Sequence, residues 1–225
     1  MIAPGADVSA QVNPRIGALR RFTARRTRGQ DGTEQCELCS LGIPGQHRHL
    51  LEPGARKILC ACDACALRFE GVIGGRFALV PRDARRLDDF RLSDEQWAAF
   101  ALPIDLAFFF RSSQAERVVA LYPSPAGAVE SLLTFQDWEN LQRENPVLAG
   151  MVPDVEALLV DRRSAGHVHY LAPIDACYQL VGLIRRHWTG LSGGADVWQE
   201  VSGFFARLDP RPKNLSNPAL GLHHA

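Results

Sequence analysis

Five cysteines fall within thirty residues, as Cys36-x2-Cys39 and then Cys60-x-Cys62-x2-Cys65, with His47 and His49 between the groups. Two Cys-x2-Cys turns each bring a pair of thiolates onto one ion, and the 22 residues from Ser40 to Ala61 let the two turns face each other. A tetrahedral metal site at Cys36, Cys39, Cys62 and Cys65 is the reading this spacing supports. Zn2+ is favoured. Iron, as a single ion or a two-iron cluster, is less favoured because Ser40 and Ala66 replace the glycine common after rubredoxin-type knuckles. Because thiolate binding releases roughly 10 kcal/mol or more, such a site can fold a module too small to have a core of its own.

Cys60, His47 and His49 exceed the needs of one tetrahedral ion. They are additional candidate ligands, for a second site, for ligand exchange during metal transfer or in place of Cys62 in the first site, weighed against a buried thiol and two polar loop histidines. His167 and His169, two apart on an expected strand, share a face and read as a solvated pair. Cys177 lies near a helix start, where the dipole favours a thiolate. Yet Ile174, Cys177, Val181, Ile184 and Trp188 recur at three or four residues, which places the thiol on a buried stripe. Ser192-Gly193-Gly194 lacks a Lys and a complete Gly-rich fingerprint, and reads as a turn and cap.

The 225 residues are 46% hydrophobic, enough for a full core. Twenty-five basic residues balance twenty-five acidic ones, so no global field draws the chain to nucleic acid or anionic lipid. Arg20-Arg21-Phe22 is followed by polar and basic residues where an export signal needs an apolar stretch, and no apolar run is long enough to span a bilayer. The expectation is a cytoplasmic protein, whose clustered cysteines bind metal rather than form disulfides.

Four regions are expected. Residues 1–33 form a flexible basic arm with a short helix on Ile16, Leu19 and Phe22; 34–70 form a Cys-rich module of zinc-ribbon or knuckle type. Residues 71–208 form an α+β domain with a mixed, largely antiparallel sheet and C-terminal helices, and 209–225 a disordered tail. Within 71–208, Arg76 to Val80 should open the sheet, Ser93 should cap a helix through Trp97 to Phe100, and hairpins should join 104–111 to 117–122 and 155–160 to 167–171. Pro123 to Gly127 reads as a loop, followed by a helix whose stripe is Val129, Leu132, Leu133, Phe135 and Trp138. Two helices, the second over about 195–208, should close the chain.

Cys36-Glu-Leu-Cys39, Leu51-Glu-Pro-Gly-Ala-Arg56, Tyr122-Pro-Ser-Pro-Ala-Gly127, Pro153-Asp-Val-Glu-Ala-Leu-Leu-Val160, Pro173-Ile-Asp-Ala-Cys-Tyr178 and the stretch from His187-Trp188 to Trp198 together resemble one uncharacterised family. Its members are encoded beside high-affinity, oxygen-tolerant nickel-iron hydrogenase genes in soil bacteria. The resemblance covers roughly residues 34–206. It implies an accessory role in building, stabilising or electronically serving such a hydrogenase. Joined to the cysteine cluster, the expectation is a non-catalytic accessory protein that contacts a hydrogenase subunit or maturation factor, with iron-based electron transfer or metal transfer as the alternative. It supplies no catalytic residues.

Overall fold

The computed structural model describes residues 34–72, 75–131, 135–190 and 193–208. The basic arm with its Ile16, Leu19 and Phe22 helix, the tail, Leu132, Leu133 and Ser192 lie outside the described residues.

The chain folds as α+β, and every strand pair among the described residues is antiparallel. Its centre is a six-stranded sheet built from β6 (Arg85–Arg86), β7 (Leu106–Ser112), β8 (Arg117–Ser124), β9 (Gly127–Ser131), β10 (Glu156–Asp161) and β11 (Val168–Pro173), in the order β6-β11-β10-β7-β8-β9. Alternation along β7 explains the two cores. Leu106, Phe108 and Phe110 point to one face, Ala107 and Phe109 to the other, and all are buried. A sheet covered on both faces reads as a continuous apolar run, as Leu106 to Phe110 does.

On the first face lie helices α4 (Ile174–His187) and α5 (Gly194–Leu208), which contribute Ile174, Leu180, Val181, Ile184, Val197, Val201, Phe204 and Phe205 to one core. The opposite face is covered by α2 (Asp94–Ala99), α3 (Phe135–Glu144) and a 3-10 turn at Pro146–Gly150. Phe109 there meets Trp97, Phe100 and Trp138 at centroid distances of 6.4, 5.2 and 6.1 Å. Helix α2 begins in a capping box: Ser93 accepts from the Gln96 amide while the Gln96 side chain accepts from the Ser93 amide. Arg162 fixes it further, donating to the Ser93 carbonyl, pairing with Asp94 and lying over the Trp97 ring.

Ahead of this body, β1 (Glu34–Gln35) pairs with β2 (Gly42–Ile43), and β3 (Arg48–Glu52), β4 (Lys57–Ala61) and β5 (Ala78–Leu79) form a three-stranded sheet. A five-residue helix, α1 (Asp63–Leu67), follows β4. The two faces of the small sheet have different neighbours. Leu50, Leu59 and Ala61 pack with Cys36, Ile43, Cys62 and Ala66, whereas Leu51 and Ile58 join the large core under α4.

Three expectations are corrected. The segment around Ala78–Leu79 pairs with β3 and so completes the small sheet instead of opening the large one. Val129 lies in β9, not on a helix: Ser124 and Gly127 close a tight hairpin around Pro125 and Ala126, and the returning strand pairs Val129 with Tyr122. The helix starts only at Phe135. His167 precedes β11 and is exposed, while His169 is buried beside Phe90, so the two do not form a solvated pair.

Candidate metal centre

Each cysteine pair sits on a local turn whose backbone is set by its own sequence. In the first, the Ser40 amide donates to the Cys36 carbonyl and the Cys36 amide to the Leu41 carbonyl, both at 2.8 Å, closing the loop between β1 and β2. Ser40 adopts φ 67°, the left-handed conformation that makes glycine common at such a position. In the second, Cys62 caps α1: its carbonyl accepts from the Ala66 amide at 2.9 Å and its Sγ from the Cys65 amide at 3.4 Å.

The Sγ atoms of Cys36, Cys39, Cys62 and Cys65 all lie within 4.8 Å of one another. Cys39 Sγ and Cys62 Sγ, from different turns, are 3.7 Å apart. That exceeds the ~2.05 Å of a disulfide and matches the edge of a tetrahedron built on ~2.3 Å metal–sulfur bonds, about 3.8 Å. The donor set fits a zinc-type ion. Electrostatics agree. Burial raises the Cys36 thiol, but backbone hydrogen bonds at Cys62, Cys39 and Leu38 outweigh it and bring the group down to about 6. Cys65 is pushed up to about 12, first by its contact with Cys62 and then by burial. Cys39 is raised as well: the Leu41 backbone hydrogen bond lowers it, and the Cys36 contact and burial oppose that. The Cys36 thiolate thus forms easily, and its charge adds a last contribution to what holds Cys65 up, one that a cation would relieve.

His47, His49 and Cys60 also converge, with ligand atoms within 4.8 Å of one another. Cys60 stands directly opposite His49 in the β3–β4 register, and His47 lies two residues before His49. Glu37, inside the first turn, holds Cys60 from both sides: its amide donates to the Cys60 carbonyl at 2.8 Å and its carboxylate accepts from the Cys60 amide at 2.9 Å. Although burial opposes it, the Lys57 ammonium and the Cys60 amide keep the Glu37 carboxyl below its usual range.

The sequence profile of the Family of unknown function (DUF5947) matches residues 35–212. The chain belongs to this family. No curated protein and no solved structure matches it. The match begins one residue before Cys36 and so takes in both cysteine pairs, both histidines and Cys60. The family's description names no hydrogenase.

Cys177, read as a core thiol, is fully buried between α4 and the sheet, and burial pushes its pKa far up. Sequence reasoning missed Asp175 as a site residue. Its carboxylate lies 2.6 Å from His49 Nδ1 across 126 residues of chain, a separation that leaves no local signal. Glu34 and Glu37 were equally silent, being ordinary acidic residues beside the knuckle. Among the described residues no helix is long and apolar enough to cross a membrane.

Proposed function

We propose that the chain is a zinc-binding accessory protein of the cytoplasm that acts through protein contacts, with Cys36, Cys39, Cys62 and Cys65 as the ligands of one structural ion. The reading rests on one observation, the four thiols that two separate knuckles bring within 4.8 Å of one another. Residues 34–70 act as the metal-binding module, of zinc-ribbon type, with Ala78–Leu79 added to its sheet. The α+β domain is its support. Neutral net charge argues against a nucleic-acid partner.

Leu38, Leu41 and Leu67, in the two knuckle segments, are exposed, and apolar side chains so placed suit contact with another protein. The resemblance to proteins encoded beside nickel-iron hydrogenase genes supports a hydrogenase subunit or maturation factor as that partner. Co-purification of a hydrogenase subunit with wild-type chain, and its loss on Leu41→Asp, is the expected result; a wild-type chain that retains no hydrogenase subunit removes this partner.

Elemental analysis with an ultraviolet-visible spectrum on anaerobically purified protein tests the metal. Zinc without visible absorption is expected. Iron with charge-transfer bands would make the chain an electron-transfer or cluster-handling protein. The metal-transfer reading has its own support in the second donor cluster.

A further inference from the structure

Both histidines of the second cluster are oriented from behind. His47 Nδ1 contacts the Pro44 carbonyl at 2.9 Å and the Glu34 carboxylate at 3.2 Å, and His49 Nδ1 contacts the Asp175 carboxylate at 2.6 Å. Among the described residues only acceptors face these two nitrogens, so each Nδ1 carries the proton and donates it. Nε2 is then the lone-pair nitrogen in both rings. The His47 side chain is 6% exposed, and its Nε2 is buried with no hydrogen-bond partner among the described residues. A buried lone pair without a donor is what a ligand atom looks like before its ion arrives. The two rings stand 4.7 Å apart and nearly perpendicular, and the Cys60 thiol completes a set of three donors across the hairpin.

We propose that His47, His49 and Cys60 form a second metal site, separate from the four-cysteine site, for a divalent first-row cation of zinc type. Two imidazoles and one thiolate are ligands of borderline softness, suited to Zn2+ above Mg2+ or Ca2+. Three protein donors leave a fourth position open to water or to a donor from outside the chain, as in zinc sites that exchange ligands. Asp175 and Glu34 are positioning residues, which fix the tautomer and aim of the rings as carboxylates behind metal-bound histidines do. Cys60 is aimed by the first knuckle through Glu37, so the four-cysteine ion indirectly sets the second site.

The test uses the full chain, loaded with Zn2+ and desalted over a weak chelating resin, with metal per chain counted by elemental analysis. Wild type should hold two zinc ions, and His49→Ala and Cys60→Ser one each, the remaining ion reporting that the four-cysteine site is intact. Asp175→Asn, which keeps an acceptor near His49, should weaken the second equivalent by 10–100-fold and leave the first unchanged. With Co2+ in place of Zn2+, the second equivalent should add a thiolate charge-transfer band that is missing in Cys60→Ser. One zinc in wild type, unaltered by His49→Ala, would overturn the second site and leave the four-cysteine reading standing. Two zinc ions retained in both His49→Ala and Cys60→Ser would overturn it as well.

Discussion

Cys36 is 1% exposed and Cys62 7%, and both belong to a cluster of seven buried residues among those described. So small a core cannot offset the conformational entropy of the two knuckles without the metal. Cys36→Ser and Cys65→Ser should therefore lose the metal of this proposed site and unfold the knuckles together, seen as a lost metal equivalent and new protease cuts near residues 36–67. A variant without metal but with unchanged thermal stability would contradict this. His169 gives a different kind of prediction. Burial, then His167, Arg162 and Arg86, hold its pKa down to about 4, against 6.5 for an ordinary histidine. Below 6.5 the unfolded chain takes up a proton that the folded chain refuses, so this contribution is complete above 6.5 and shrinks as pH falls towards 4. The slope is at most about 1.4 kcal/mol per pH unit. Urea midpoints for wild type and His169→Gln should accordingly draw closer between pH 7 and pH 4.5; curves that stay parallel would sink the assignment.

At the scale of elements, what could be read in advance followed from local chemistry. The Ser93 cap, the hairpin of β7 and β8, and the apolar stripes of α4 and α5 each depend on residues within a turn or two. Ser93→Ala should cost about 1 kcal/mol in chemical denaturation, because it leaves the Gln96 amide without its acceptor. Phe109→Ala, which opens a void between Trp97, Phe100 and Trp138, should cost about 3–5 kcal/mol. Val129 misled because its spacing of three and four residues to Leu132 and Leu133 fits a helix, while the strand is decided by pairing with Tyr122 around a two-residue turn. The second donor cluster was half legible. Glu52-Pro53-Gly54 marks a turn, and folding the chain about Glu52 and Lys57 places His49 opposite Cys60. Nothing nearby announces that α4 supplies Asp175, since that contact is made only when the small sheet lies on the large core.

Across the whole molecule, the proposed metal and the core would stabilise different parts, and the small sheet spans the boundary. Its Leu50 face packs on the cysteine cluster, while Leu51 and Ile58 pack with Val80, Ile174 and the rest of the core beneath α4. Chelation should remove the first support and leave the second. Hydrogen exchange on the chelated chain should then show three tiers. Amides of the knuckles, such as Ser40 and Ala66, should lose protection fully, because the loops that hold them close around the thiolates. Those of β7, β8 and β10 should keep it, since both faces of that sheet stay covered. The β3–β4 pair should fall between, held by Leu51 and Ile58 on one side and uncovered on the other. Uniform loss of protection would mean that the ion stabilises the entire fold, and unchanged protection in the knuckles would mean that it stabilises none of it.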